Sequence, residues 1–184
     1  GNVYKTVKIG NQIWMAENLK TTRYNDGTPI LYISKKNEWD KCKIGAYCFS
    51  QNDYNSNETN GKLYNWYAVG TGKLAPKGWH IPSDDDWSDL IYYLGGTDKA
   101  GAKMKNTIGW KKLDLNLNES GFQALPSGYR ISDVFYDNSC IWWSSTEINA
   151  NKAWSLELNY YDNDIKKGVN DTKDFGFSVR CLKD

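Results

Sequence analysis

From Pro82 to Gly96 the chain reads PSDDDWSDLIYYLGG, a complete helix signature, and no other segment limits the possible folds as strongly. Pro82 precedes a Ser83 cap, and Asp84, Asp85 and Asp86 load the first turn with negative charge that complements the helix dipole. Trp87, Leu90, Ile91 and Leu94 then recur at helical spacing until Gly95 and Gly96 stop the run, which predicts a helix over 83–94. The dipole explains the three aspartates without a carboxylate pair or a cation site. A weaker helix is predicted from about 98 to 105 behind a Thr97 cap, with Gly101 lowering its propensity by about 1 kcal/mol. Everything else reads as short strands and turns, so the expected class is α+β.

Residues Val3 to Ile9 alternate, Gly10 and Asn11 supply a two-residue turn, and Gln12 to Met15 answer them, which is a hairpin. A short strand is expected at Gly45 to Phe49. Arg23 to Pro29 (RYNDGTP) and the asparagine-rich stretch Ser50 to Gly61 carry turn chemistry and are expected to be surface loops. Trp154, Leu156, Leu158 and Tyr160 alternate with Ser155, Glu157, Asn159 and Tyr161, so one face packs inward and the other is free to meet solvent or a ligand. Phe175, Phe177, Val179 and Cys181 repeat that logic, with Gly176, Ser178 and Arg180 opposite. No repeat or linker divides the chain, and 184 residues fit one domain spanning 1–184.

Charge and cysteine usage exclude several functions. Lysine plus arginine number 23 against 22 aspartate plus glutamate, so there is almost no net field to attract a nucleic acid. Apolar runs such as Ile141 to Trp143 fall far short of the roughly 18 residues a membrane span requires. Nine tryptophans, thirteen tyrosines and abundant asparagine suit an extracellular or envelope protein. The abrupt start at Gly1 inside a strand pattern leads us to expect an export signal removed upstream, a setting that also allows a lipid anchor there. Cys42, Cys48, Cys140 and Cys181 include no Cys-x-x-Cys pair, and one histidine, His80, accompanies them, so a zinc site is not expected. Two disulfides in any of three pairings fit this count; Cys42 with Cys48 and Cys140 with Cys181 is the simplest, and four reduced buried thiols are the alternative.

The motifs that could carry chemistry have plainer readings. The stretch from Asp162 to Asp174 collects oxygens of the kind calcium prefers, but Lys166 and Lys167 occupy positions where an EF-hand loop needs a ligand and a glycine. We therefore expect no cofactor, with calcium as the alternative that loop keeps open. His80 lacks a Gly-x-Ser-x-Gly partner and is read as structural. Arginine is scarce, at Arg23, Arg130 and Arg180 only, which suggests that the latter two serve for planar, multi-donor geometry. Ion pairs with Glu119 or Glu147 are the preferred reading, and a ligand contact by Arg130 is the other. Asn-x-Ser/Thr triplets begin at Asn57, Asn118 and Asn170, a number that so asparagine-rich a chain reaches by chance. Alternation puts Trp142 and Trp143 on opposite faces, one in the core and the other a stacking platform.

Seven segments, in order, resemble the Fibrobacter succinogenes major paralogous domain family, common in surface lipoproteins of Bacteroidetes and Fibrobacteres. They are GNQIWMAENLK (Gly10 to Lys20), GAYCF (Gly45 to Phe49), GKLYNWYAV (Gly61 to Val69), APKGWHIPSDDDW (Ala75 to Trp87), ESGFQALPSGYR (Glu119 to Arg130), WWSSTE (Trp142 to Glu147) and GFSVRCLKD (Gly176 to Asp184). More distantly, the same blocks are similar to the C-type-lectin-like folds of formylglycine-generating enzymes and of the variable proteins made by diversity-generating retroelements. The resemblance implies a C-type-lectin-like mixed fold with short antiparallel strands.

It also implies two functions. In the variable proteins, segments like WWSSTE and GFSVR frame a binding face. Carried over, that face comprises Tyr129, Arg130, Tyr136, Asn138, Trp142, Glu147, Asn149, Ser155, Glu157, Asn159, Tyr161 and Asn163. The enzymes need a reactive cysteine pair that binds copper, and no equivalent pair is evident unless Cys181 leaves a buried strand position. The sugar-binding tripeptides of calcium-dependent lectins are absent. The expectation is a secreted or outer-membrane-surface binding module without catalysis, recognising a glycan or a protein. A formylglycine-generating-type enzyme and a structural envelope component are the alternatives.

Overall fold

A computed structural model describes residues 1–53, 55, 57–110 and 117–184. The elements in order are β1 (Thr6–Ile9), β2 (Gln12–Met15), β3 (Leu31–Tyr32), α1 (Lys36–Trp39), β4 (Ala46–Phe49), α2 (Asn57–Asn60), β5 (Lys62–Tyr64), α3 (Trp66–Val69), β6 (Trp79–His80), α4 (Asp84–Tyr93), α5 (Thr97–Met104), β7 (Tyr129–Ile131), β8 (Val134–Tyr136), β9 (Ser139–Asn149), β10 (Lys152–Asn159), β11 (Ile165–Thr172) and β12 (Leu182–Lys183). They form four small sheets, ordered β1-β2-β12-β6, β11-β10-β9, β3-β4-β5 and β7-β8, and every pairing is antiparallel except β3 with β4. The class is α+β, with long connecting loops. No helix among the described residues is long and apolar enough to cross a membrane.

The β9–β10–β11 sheet divides the interior. On one side Cys140, Trp142, Leu156, Leu158 and Ile165 pack with Trp14, Phe122 and the apolar stripe of α4; on the other Ile141, Trp143 and Ala153 pack with Tyr64, Phe177 and Val179. Both tryptophans of the pair are therefore core, and neither is a platform. The chain from Phe175 to Cys181 runs between these layers, bridging Tyr64, Arg130 and Trp142 through Phe177, Gly176 and Ser178. That position explains why Ser178 and Arg180, expected on an outer face, are as buried as Phe177 and Val179.

Helix α4 begins where the sequence places it. Ser83 Oγ accepts from the Asp86 backbone N–H at 3.1 Å while Asp86 Oδ2 accepts from the Ser83 N–H at 2.8 Å, a closed capping box. His80 ties the same corner to the carboxyl terminus. Its Nδ1 lies 2.8 Å from Asp184 Oδ1 and its Nε2 3.5 Å from Asp86 Oδ2, a structural role. Helix α5 explains its own glycine: a Cβ at Gly101 would collide with the Asn163 carbonyl oxygen and stand 3.1 Å from Leu158 Cδ2. Close approach of backbone outweighs helix propensity here.

Several expectations are corrected. The stretch Asp162 to Asp174 is no loop over most of its length, because Ile165–Thr172 pairs with β10 as an edge strand. Its polar sequence hid a strand whose first residue, Ile165, packs into the core. The four cysteines are free thiols. Cys140 sits with the helices, its Sγ 2.9 Å from Ser127 Oγ, while Cys181 belongs to the opposite layer; Cys42 Sγ donates to the Ile44 carbonyl and Cys48 faces Arg130. Neither proposed disulfide, Cys42 with Cys48 or Cys140 with Cys181, forms.

The two interior arginines make no ion pair among the described residues. Arg130 donates to the carbonyls of Ser132, Ile33 and Lys35 at 2.7, 3.2 and 3.4 Å and stacks on Trp39 and Phe135. Glu119 and Glu147, their expected partners, pair with Lys103 and Lys173. Of the candidate glycosylation positions, Asn118 turns inward to accept from the Gln123 N–H at 3.1 Å, and the side chains of Asn57 and Asn170 lie outside the described residues.

Candidate functional site

The β7–β8 hairpin places Tyr129 directly opposite Tyr136, and their rings stack with centroids 4.7 Å apart and planes 9° from parallel. Such cross-strand aromatic pairs stabilise a hairpin too short to stand alone. Tyr129 also meets Phe177 edge-on at 6.1 Å, which fastens the stack to the core. Tyr136 remains 38% exposed.

Strand register builds the rest of the face. Ser155 pairs with Trp143 and Gly168, Glu157 with Ile141 and Lys166, and Asn159 with Ser139, so these side chains share the side of the sheet away from Leu156 and Leu158. A bulge between Ala153 and Ser155 shifts the register and brings Asp171 over this side. There Ser155 Oγ donates to Asp171 Oδ2. Gly168 lies beneath that bond, where a Cβ would overlap both partners. Ser139 Oγ likewise donates to Glu157 Oε1 at 3.1 Å.

Burial pushes the Asp171 carboxyl above the usual carboxylate range, against the opposing effect of the Ser155 hydrogen bond. Burial first, then the negative charges of Glu157, Tyr136 and Asp171, raise the Tyr129 hydroxyl. Neither Glu157 nor Asp171 has a cationic partner among the described residues. Lys166, opposite Glu157 in the ladder, directs its ammonium to Asp162 at 3.5 Å instead.

The residues predicted for a binding face separate into groups. Tyr129, Tyr136, Ser155 and Glu157 come together, and Ser155, only 4% exposed, acts through Asp171 rather than meeting solvent itself. Asn159 continues the row, but its Oδ1 accepts from the Tyr161 N–H at 2.8 Å and its carbonyl from Lys105 Nζ at 2.6 Å. Arg130 and Trp142 are corrections: at 1% and 0% exposure both are interior, and Trp142 Nε1 donates to Asn18 Oδ1 at 2.8 Å. Glu147 and Asn149 sit at the far end of the β9–β10 hairpin, one paired with Lys173 and the other capping the turn through the Asn151 and Lys152 N–H groups. Tyr161 and Asn163 lie beyond β10, the former 60% exposed against Tyr160 and the latter with its carbonyl against Gly101. The Asn138 carbonyl accepts from the Tyr160 N–H and holds the strand ends together.

Asp171 and Ser139 join the face without having been singled out for it. Asp171 was hidden by reading its strand as a loop, and strict two-residue alternation from Ile165 would have put it on the other side of the sheet, because only the bulge brings it over Ser155. Ser139 had no sequence signal beyond its place before Cys140.

The arrangement offers aromatic rings, hydroxyls and two carboxylates. Among the described residues no group of three or more His, Cys, Asp or Glu side chains is placed to hold a metal ion. No curated protein and no solved structure matches the chain. The family model for the Fibrobacter succinogenes major domain matches residues 7–183, from β1 to β12, and the chain thus belongs to the Fibrobacter succinogenes major domain family.

Proposed function

We propose that this protein is a non-catalytic binding module of the cell surface that docks a protein or glycan ligand on the face made by the Tyr129–Tyr136 stack and the polar side of β10 and β11. The observation that carries the reading is the Tyr129–Tyr136 stack held at the surface with Tyr136 38% exposed, while on the β9–β10–β11 sheet Glu157 is held by Ser139 and Asp171 by Ser155. Rigid tyrosine rings add contact area at low entropic cost.

Burial of all four thiols supports this reading over an oxidase of the formylglycine-generating type, because burial pushes Cys48 and Cys181 up to about 12 and keeps them protonated. The surface or secreted setting rests on the family resemblance and on the aromatic, asparagine-rich composition. No cofactor is part of the proposal.

The test is capture on arrays of glycans and of extracellular proteins by the intact chain. A ligand whose binding falls in Tyr136→Ala and Glu157→Gln supports the face. No ligand, or one indifferent to both changes, removes it.

A further inference from the structure

We propose that the chain binds one small monovalent anion, a halide or a compact carboxylate, in the cavity lined by Arg180, Asn106 and Gln123. The site is independent of the docking face and of the reading built on it.

The cavity measures about 60 Å³ and lies where the segment after β2 meets Asn106 and the stretch Gln123 to Leu125, with Arg180 in its wall. One water needs roughly 10–15 Å³ of such room, so the space exceeds a single water. Arg180 is only 1% exposed and has no carboxylate paired with it among the described residues. Glu17 also lines the cavity, but it is paired with Lys20 at 3.1 Å. Glu17, Lys20 and Arg180 together leave one positive charge unmatched.

The hydrogen bonds of Arg180 fall short as well. A guanidinium carries five N–H donors. Nε and Nη2 both donate to Asn18 Oδ1, at 3.2 and 2.8 Å, and Nη1 donates to the Phe122 carbonyl. Trp142 Nε1 claims the same Asn18 oxygen at 2.8 Å, so three donors share an atom with two lone pairs. Each terminal nitrogen of Arg180 keeps a second N–H without an acceptor among the described residues. Arg130, the other buried arginine, spreads its donors over three separate carbonyls and the Cys48 sulfur, whereas Arg180 has two acceptors, one of them oversubscribed. Burial pulls the Arg180 pKa down to about 10, as expected for a cation short of compensation.

The rest of the wall adds donors. Asn106 turns its Oδ1 to the Thr107 hydroxyl and the Ile108 N–H, at 3.4 and 3.2 Å, which leaves its Nδ2 without a partner among the described residues. The Gln123 side-chain amide has none there either. Water in the cavity would accept from these groups and leave the charge of Arg180 unmatched; a monovalent anion answers both needs. A metal cation would meet the guanidinium charge, and a divalent anion would overcompensate it.

The experiment records thermal melts of the intact chain in sodium chloride from zero to about 200 mM, with sodium gluconate holding the ionic strength constant and sodium formate as a second series. Chloride or formate is expected to raise the melting temperature saturably by at least about 2 °C over the bulkier gluconate. Whichever of the two acts names the source, halide or carboxylate, and broadening of the chloride NMR resonance by the protein reports halide binding directly. Gln123→Glu and Asn106→Asp each put a carboxylate in the wall at unchanged size, and Asn106→Asp keeps the acceptor for Ile108. Each is expected to weaken anion binding at least about tenfold. Identical melts in chloride, formate and gluconate overturn the inference and leave the cavity to water. A shift that persists undiminished in either folded variant overturns it too, because the anion then binds elsewhere.

Discussion

Arg180 and Asn18 meet inside the protein, with Nη2 donating to Oδ1 at 2.8 Å, and the same oxygen accepts from Trp142 Nε1 at 2.8 Å. The Asn18 amide donates in turn to the Asn60 carbonyl at 2.9 Å and to Ser127 and Ser178 Oγ at 3.3 Å. Burial pulls the Arg180 pKa down to about 10, yet the group keeps its charge at neutral pH, held by carbonyl and amide oxygens and by the Phe122 ring 4.2 Å away. One asparagine therefore holds a buried cation and joins the two core layers. Asn18→Leu is expected to lower unfolding free energy by about 3–5 kcal/mol, since it takes the amide acceptor from Arg180 Nε and Nη2 and leaves the buried guanidinium only the Phe122 carbonyl. Chemical denaturation at neutral pH measures it.

Gly101 offers a test in which two rules disagree. Helix propensity alone says that Gly101→Ala stabilises α5 by about 1 kcal/mol. The Asn163 carbonyl in the path of the new methyl says the reverse, and a net loss of about 1–3 kcal/mol is expected. Thermal melts of the single variant decide the sign.

Asp171 gives a pH signature. Its folded carboxyl titrates above the ordinary value because burial disfavours the charge. Below the ordinary value of about 3.9 both the folded and unfolded forms are protonated, and its stabilising contribution is complete. As pH rises through the raised folded value, the native group ionises in a shielded place and that contribution is lost. Asp171→Asn does not titrate, so its melting temperature is expected to gain on that of the unaltered protein between about pH 3 and pH 7. A difference constant with pH contradicts the assignment.

The thiols give a chemical one. In the native protein none of the four is expected to react with a disulfide reagent on the timescale of minutes, because all are buried. Denaturation without reductant is expected to release all four at once. Two or fewer would restore a disulfide.

The helix over 83–94 was legible because every signal there is local: a cap, an acidic first turn, an apolar stripe and two glycines. The β1–β2 hairpin was legible for the same reason, with Gly10 at φ +60° in its turn. The alternation in Lys152–Asn159 named Ser155, Glu157 and Asn159 as one side of a strand, and they are. What the sequence could not convey was the packing of other segments against each side. Trp142 and Arg130 read as surface candidates because burial of a tryptophan or an arginine depends on distant partners, Asn18 in one case and the carbonyls of Ile33 and Lys35 in the other. Asp171 was missed because an edge strand this rich in charged and polar residues has the composition of a loop. The cysteine pairing failed on three-dimensional grounds too: Cys140 and Cys181 enter opposite core layers, and Cys42 and Cys48, though in one cluster, turn to the Ile44 carbonyl and to Arg130.

The most direct measurement compares three variants against one captured ligand: Tyr136→Ala on the face, Trp142→Phe beneath the sheet, and Tyr92→Ala on the exposed side of α4, where the tyrosine is 86% exposed. Biolayer interferometry at matched folded concentration is expected to show affinity lost at least about tenfold in Tyr136→Ala and kept within about twofold in Tyr92→Ala and in folded Trp142→Phe. Affinity retained in Tyr136→Ala, or lost instead in Tyr92→Ala, would contradict the account and move the docking surface elsewhere.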